Sequence, residues 1–232
     1  MRISVPLLYY SGKECMKQLV MCMTLFLSLL TAQEIDSTKA PIKQLNETQY
    51  QLDNIIIDID KRIITLPAEV NMQDGLVEVF LCARGGKIHE SVLVSNVIPY
   101  YMKVALLLIG LKDGNDPMYT NEKSPVKGDP VTIWISWQSE GKEKKYRAES
   151  LIWNITDNAT MEQTDWIFTG SRMEQGQFMA DDVKSLITTY NDPSTIIDNP
   201  LVTGVNDEVY RANKNLLPPK GTAVTVIIKA KS

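Results

Sequence analysis

The chain has 232 residues, of which 44% are hydrophobic and 22% are charged, values typical of a folded globular protein and not of a disordered or fibrous one. Its formal charge at pH 7 is −4. A surface of this sign is poorly suited to neutralise phosphate groups, so the composition argues against nucleic acid as a partner.

Residues 1–32 predict a signal sequence preceded by a short upstream extension. Lys17 opens an apolar run of about twelve residues, and the small residue Ala32 follows it, as at a cleavage site. The run is shorter than the roughly 20 residues that span a bilayer, so we expect cleavage near Ala32 and no retained membrane span. The mature protein is therefore expected to be periplasmic or otherwise extracytoplasmic.

Cleavage would leave a chain with one thiol and a more negative charge. Cys15 and Cys22 lie within the segment removed, so Cys82 would be the only cysteine of the mature protein. The remaining 21 basic and 27 acidic residues correspond to a formal charge of −6. A single cysteine excludes an internal disulfide and four-cysteine iron–sulfur ligation.

The mature chain divides into a leader and one domain. Residues 33–49 are polar and show no sustained periodicity, which predicts a flexible leader. Residues 50–232 show strand-like patterns throughout and no internal repeat, so we expect a single domain there.

Three β-hairpins are predicted in this domain. The first joins the isoleucine-rich residues 55–59 to residues 63–66. The second joins residues 75–83 to residues 87–94 across Gly85 and Gly86, because consecutive glycines supply the positive φ angles of a two-residue turn. The third runs through residues 131–152 and turns at Gly141.

The remaining elements are one helix, one long loop and several short strands. Residues 99–111 predict a buried helix with Gly110 near its end, and residues 112–129, rich in Gly, Asp, Asn and Pro, predict a surface loop. Further strands are predicted at residues 164–168, 177–180, 185–190 and 222–229. We therefore expect an α+β fold of mostly antiparallel β-hairpins packed around one buried helix, with a β-sandwich as the alternative.

The predicted second hairpin brings together the candidate site residues. In its register, Cys82 faces His89, the only histidine of the chain, and Glu78 and Ser91 lie on the same face. Glu90 would be the only charge on the opposite, apolar face. The candidate catalytic residues are accordingly His89, Glu90, Ser91, Cys82 and Glu78.

Each of these residues also has a structural interpretation. An imidazole beside a thiol can favour the nucleophilic thiolate, but Cys82 can equally be a buried and inert thiol. His89 and Glu90 can equally be hydrogen-bonded structural residues, and Ser91 lacks the strand-to-helix elbow of a hydrolase nucleophile. The set matches no metal-binding or cofactor-binding motif, so we expect no metal and no cofactor.

Several stretches resemble the YdjY-domain family of bacteria. The resemblance rests on the sequence GGKIHESVL at residues 85–93 and ALLLIGL at residues 105–111, and on residues 125–137, 166–171 and 217–224. It covers residues 50–230, nearly the whole predicted domain. The resemblance implies an exported bacterial domain, often with a signal peptide or lipid anchor, and brings no established activity.

The leading hypothesis is therefore a non-enzymatic envelope protein that binds a small ligand or another envelope protein. An ordinary soluble domain with long loops and no complete catalytic set favours it. The alternative is an enzyme or a metal-assisted site centred on His89, with Cys82 and the nearby carboxylates.

Overall fold

The computed structural model describes residues 42–114 and 126–231. The predicted signal sequence lies outside the described residues. The strands within them are β1 (Ile42–Gln44), β2 (Gln49–Leu52), β3 (Ile55–Asp58), β4 (Ile63–Val70), β5 (Val79–Ala83), β6 (Ser91–Ser95), β7 (Asp129–Ser139), β8 (Lys142–Arg147), β9 (Ile152–Asn154), β10 (Ala159–Thr160), β11 (Trp166–Phe168), β12 (Met173–Glu174), β13 (Gln177–Phe178), β14 (Ser185–Thr188), β15 (Ile197–Asp198), β16 (Tyr210–Ala212) and β17 (Ala223–Ala230).

Helices are few in this part of the chain. Its two α-helices are α1 (Pro99–Leu108) and α2 (Met179–Val183). Short 3-10 helices cover Ile88–Glu90, Ala148–Leu151 and Val202–Val205. No helix of the described ranges is both long enough and apolar enough to span a membrane.

Eight strands close into a barrel. Their order around the ring is β4, β17, β7, β11, β15, β14, β5 and β6. The ring closes because Glu69 and Val70 of β4 pair with Val94 and Leu93 of β6. Neighbouring strands are antiparallel except for the pairs β14/β15 and β5/β6, which are parallel.

The closed barrel shows that the predicted α+β fold is wrong, and so is the β-sandwich alternative. Strand side chains such as Ile64, Ile133 and Val226 fill the core, with no exposed surface. Helix α1 is buried on one face only: Leu106 has no exposed surface, whereas Leu107 and Leu108 are each 42% exposed. Alternating hydrophobicity identifies the buried face of a strand but not its neighbours, so it does not distinguish a barrel from a sandwich.

The first predicted hairpin is confirmed, and the third is confirmed as far as Arg147. Residues 148–151 form a 3-10 helix, and β9 pairs with β10 and β16 instead. Strands β3 and β4 are antiparallel, with Ile57 opposite Ile64. Strands β7 and β8 are also antiparallel, and the chain turns between them at Glu140 and Gly141, both of which have positive φ. Buried positions alternate along much of β4 and β7, as expected for strands with one face in the core, whereas β8 has the largely exposed sequence KEKKYR.

The second predicted hairpin is wrong, because β5 and β6 run parallel. Cys82 lies opposite Val94 in the ladder. The chain between the strands makes a turn and the 3-10 helix Ile88–Glu90 instead of reversing directly. Only Gly85 of the glycine pair has a positive φ, and Gly86 serves a different purpose: a Cβ there would lie 2.8 Å from Cβ of Lys184.

Two further observations concern the N-terminal end of the domain and its long loop. Strand β1 (Ile42–Gln44) pairs with β2, so part of the predicted leader of residues 33–49 belongs to the sheet. The predicted loop of residues 112–129 lies partly outside the described residues. Its two ends are joined, since the Asp129 backbone N–H donates to the Lys112 carbonyl over 3.0 Å.

Candidate functional site

A cavity of about 400 Å³ opens beside β5 and β14, and we call it the β5/β14 cavity. Its volume lies within the range of sites that bind small molecules. The wall comes from β5, the β5–β6 connection, the junction of α2 with β14, the loop after β14 and the last 3-10 helix. The lining residues are Glu78, Val79, Cys82, Lys87, Val183, Lys184, Ser185, Thr188, Tyr190, Asn191, Asp192, Ser194 and Val205.

Cys82 forms part of the apolar lining. Its side chain packs with Val79 and Val94 in a small cluster separate from the main core. Burial raises the pKa of the Cys82 thiol, and the Ser91 side chain offsets this effect only partly. The thiol is therefore held in its protonated, weakly nucleophilic form, which argues against a role as an activated nucleophile.

An ion pair lies at the side of the cavity formed by β5 and the β5–β6 connection. Lys87 Nζ is 2.7 Å from Glu78 Oε2 and 3.5 Å from Glu90 Oε2. Burial acts to lower the pKa of Lys87, but the hydrogen bond with Glu78 and the charges of both carboxylates outweigh it, so the pKa lies above its usual value. The charges of Lys87 and Glu78 therefore neutralise each other within the cavity wall.

Lys184 is a second cation in the wall, held by its backbone. The residue ends α2 in a left-handed conformation with φ of 60°. Its carbonyl accepts a hydrogen bond from the Ala83 N–H over 2.8 Å, and its Cβ packs against Gly86, where a side chain would collide. The side chain is half-buried, and no ion pair or hydrogen bond reaches its ammonium from the part of the chain that the structure describes.

The loop after β14 supplies another part of the wall and carries Asn191, Asp192 and Ser194. The Asp192 carboxylate accepts a hydrogen bond from the Ser194 N–H over 2.8 Å, a local turn typical of aspartate. Asp192 is half-buried, and no cation pairs with it among the described residues. The Asn191 N–H donates to the Gly204 carbonyl over 2.8 Å, which ties this loop to the last 3-10 helix.

The buried carboxyl group of Asp198 holds this loop in place through hydrogen bonds. Asp198 accepts hydrogen bonds from the Thr188 hydroxyl over 2.9 Å, the Asn199 N–H over 2.8 Å and the Asp192 N–H over 3.2 Å. Burial raises the pKa of Asp198 well above its usual value. The network joins β14, β15 and the loop, so the position of Asp192 is set by interactions beneath the cavity wall.

The structure separates the predicted site residues. Cys82 and Glu78 line the same cavity, but His89 borders a different one of about 460 Å³, together with Asp74. The His89 side chain is 74% exposed, and its Nε2 lies 3.4 Å from Glu90 Oε1. The predicted juxtaposition of Cys82 and His89 is therefore wrong, because it depended on an antiparallel hairpin.

The two remaining candidates lie beside the cavity and do not line it. Glu90 belongs to the 3-10 helix of the β5–β6 connection and contacts Lys87, so it does not point into an apolar strand face as predicted. Ser91 begins β6 and is fully buried, with its carbonyl accepting a hydrogen bond from the Asn71 amide over 2.8 Å. Glu90 and Ser91 are placed in this way because the 3-10 helix Ile88–Glu90 takes the place of the first part of the strand predicted at residues 87–94.

Sequence reasoning identified Glu78 but not the charged lining residues Lys184 and Asp192. Lys184 and Asp192 carry no recognisable motif and lie about a hundred residues from Cys82. The only local signal is the run from Asn191 to Ser194, which predicts a turn and indicates nothing about a ligand. Within residues 42–114 and 126–231, no group of three or more His, Cys, Asp and Glu side chains could hold a metal ion.

Comparison with known proteins identifies one family. A sequence profile described as the YdjY domain matches residues 55–229. Neither the curated proteins nor the solved structures contain a match to the chain. The match covers all eight strands of the barrel apart from the last residue of β17, and the cavity-lining residues fall within it. The chain belongs to the YdjY domain family.

Proposed function

We propose that this chain is a non-enzymatic binding domain of the bacterial cell envelope that takes a small polar ligand in the β5/β14 cavity. The observation that carries the proposal is the cavity itself. It is about 400 Å³ in volume, and polar side chains from separate parts of the chain line it together with apolar ones. Small-molecule sites combine a mostly apolar lining with a few polar groups that orient the ligand.

The rigidity of the wall supports this assignment. The Asp198 network and the Lys184 backbone contacts hold in place the backbone segments that carry the polar residues before any ligand arrives. A preformed site loses less conformational entropy on binding than a site that must be ordered by its ligand. A preformed cavity is therefore better suited to ligand binding than an irregular gap between surface loops.

The chemistry of the wall favours binding over catalysis. The pKa of Cys82 is raised by burial, and His89 lines a different cavity from Cys82. Activation of a cysteine requires a lowered pKa or an adjacent base. The enzyme alternative centred on His89 and Cys82 therefore lacks the contact on which it depended.

The envelope location rests on the predicted signal sequence of residues 1–32. It is tested by expressing the full chain in bacteria, separating periplasmic, membrane and cytoplasmic fractions, and determining the N-terminus by mass spectrometry. We expect a periplasmic product that begins after Ala32. A product that keeps its first residues in the cytoplasm would contradict the location and leave the binding proposal to its own test.

The binding proposal is tested by closing the mouth of the cavity. Val205 lines the cavity and is 41% exposed, whereas Val202, in the same 3-10 helix, is 87% exposed and lies outside the lining. A Val205→Trp variant should abolish binding of compounds found by ligand-observed NMR in a mixture of amino acids, sugars and organic acids. The matched Val202→Trp variant should bind them normally. If no compound binds, or both variants bind equally well, the proposal is wrong.

A further inference from the structure

The β5/β14 cavity contains two charged side chains of opposite sign that have no counter-charge among the described residues. They are Lys184, at the junction of α2 with β14, and Asp192, in the loop after β14. We propose that the cavity binds a zwitterionic, amino-acid-like ligand, with its carboxylate on Lys184 and its ammonium on Asp192. This inference rests on the proposed function and adds the chemical class of the ligand.

The other two charges of the wall do not compete for a ligand. Lys87 and Glu78 are paired over 2.7 Å and neutralise each other. Lys184 and Asp192 are not joined by an ion pair and lie on different elements. The two unpaired charges, one positive and one negative, therefore favour a ligand that carries both a negative and a positive group.

Both unpaired charges belong to residues that line the cavity, where a ligand can reach them. Each side chain is half-buried, and a partly desolvated charge without a partner costs free energy that a ligand of opposite charge recovers. The left-handed backbone of Lys184 and the hydrogen bond that its carbonyl accepts from the Ala83 N–H fix the point at which its side chain leaves the cavity wall. The hydrogen bonds of Asp192 with Asp198 and Ser194 set the position of the anion.

The rest of the lining indicates the kind of side chain that such a ligand would carry. Val79, Val183 and Val205 contribute apolar surface to the same cavity. Burial of an aliphatic group against such residues is favourable by about 25 cal/mol per Å² of apolar surface removed from water. An amino acid with an aliphatic side chain therefore matches both the charges and the apolar surface.

Leucine and three of its derivatives distinguish the contributions of the ligand's carboxylate and ammonium groups to affinity. N-acetyl-leucine keeps only the carboxylate, leucinamide keeps only the ammonium, and N-acetyl-leucinamide carries neither. Isothermal titration calorimetry should show that leucine binds about tenfold more tightly than either singly charged form, since each well-placed charged hydrogen bond contributes at least that factor. The uncharged form should bind weakest.

Two variants then assign each charge to its partner. Asp192→Asn keeps an oxygen that can accept from the Ser194 N–H but removes the negative charge, so leucine and N-acetyl-leucine should bind this variant equally. Lys184→Gln removes the positive charge, so leucine and leucinamide should bind that variant equally. Asp182→Asn, on the exposed side of α2 and outside the lining, is the matched control and should keep all the affinity ratios of the unaltered protein. Circular dichroism shows whether each variant is folded.

The outcomes separate this inference from the proposed function. Three outcomes overturn the zwitterion assignment. Leucine and a singly charged form bind equally well, or neither variant changes the affinity ratios, or none of the four probes binds. If an unrelated compound binds and Val205→Trp blocks it, the proposed function stands and the ligand class is wrong. If leucine binds but Val205→Trp has no effect on it, both proposals fail.

Discussion

The guanidinium group of Arg147 donates two hydrogen bonds to the Glu149 carboxylate, over 3.0 Å from Nε to Oε2 and 2.6 Å from Nη2 to Oε1. The two side chains are only 12% and 2% exposed. Trp166 adds a hydrogen bond from its indole Nε1 to Glu149 Oε1 over 3.0 Å. The pair therefore connects the end of β8, the following 3-10 helix and barrel strand β11.

Loss of the Glu149 charge is expected to destabilise the protein strongly. Removal of one partner from a buried ion pair leaves the other charge desolvated and unpaired, which costs about 3–5 kcal/mol. Glu149→Gln should lower the free energy of unfolding in urea by about this amount. Glu143→Gln, on the exposed face of β8, is the control and should change it by less than about 0.5 kcal/mol. Equal effects of the two substitutions would contradict the prediction.

Asp58 should make stability depend on acid pH. Hydrogen bonds from the Gln49 side chain, the Lys61 N–H and the Lys61 ammonium lower the pKa of Asp58 to about 2. A carboxyl whose pKa is lower in the folded state contributes stability above its unfolded pKa, and the contribution disappears as pH falls toward the folded value. The difference in unfolding free energy between the unaltered protein and Asp58→Asn should therefore shrink from pH 4 to pH 2.

That comparison has an internal control in Asp60, which is exposed two residues away. Asp60→Asn should show no comparable change in its stability difference over the same pH range. Urea denaturation curves followed by tryptophan fluorescence at pH 2, 3 and 4 provide the measurement. A constant difference for Asp58→Asn at all three values would show that the carboxylate is not stabilised in the folded state.

Asp198 should make the stability of the protein depend on pH in the direction opposite to Asp58. Burial raises its pKa despite the hydrogen bonds from Thr188 and Asn199, and the charge of Asp192 raises it further. A carboxyl with a raised pKa binds more protons in the folded state, so its contribution to stability is lost as pH rises from the unfolded pKa to the folded one. The stability of Asp198→Asn relative to the unaltered protein should therefore increase as the pH is raised above 4.

Measurement of this effect requires urea unfolding curves at several pH values between 4 and 8. The loss of the hydrogen bond from the Asp192 N–H in Asp198→Asn changes the unfolding free energy by a similar amount at every pH. The informative quantity is therefore how the free-energy difference between the variant and the unaltered protein changes with pH. Asp207→Asn, in an exposed position, should give a flat difference. A flat difference for Asp198→Asn as well would mean that the buried carboxyl does not titrate differently on folding.

The Cys82 thiol should react slowly in the folded protein. It is 1% exposed and burial raises its pKa, so both access and thiolate content are low. In a chain with Cys15→Ser and Cys22→Ser, the reaction with a bulky aromatic disulfide reagent at pH 8 should be at least about a hundredfold slower than in urea, because the global unfolding equilibrium limits access.

A small reagent provides the complementary test of the cavity. Methyl methanethiosulfonate should reach the Cys82 sulfur through the β5/β14 cavity faster than the bulky reagent does, and Val205→Trp should slow it. Val202→Trp should leave the rate unchanged, because this residue does not line the cavity. Similar rates for both reagents would show that access depends on unfolding and not on the cavity.

Hydrophobic alternation and turn residues correctly predicted the pairing of strands that are close in sequence. Ile57 and Ile64 pair across a hairpin that the alternation of isoleucines indicated, and the turn at Gly141 was recognisable because glycine readily adopts positive φ. The same logic failed between Cys82 and His89. Gly85 and Gly86 predict a hairpin, but Gly86 is required there for the close approach of Lys184, a contact about a hundred residues away in the chain.

The sequence by itself determined the strand-rich composition, the positions of most strands, the helix that begins at Pro99 and the membership of the YdjY domain family. Only the tertiary structure decided that eight strands close into a barrel, that β5 and β6 are parallel, and that Lys184 and Asp192 share a cavity with Cys82. The physical reason is that alternation and turn preference act over a few residues. Strand neighbours and cavity walls are instead selected by hydrogen bonding and core packing between segments far apart in the chain.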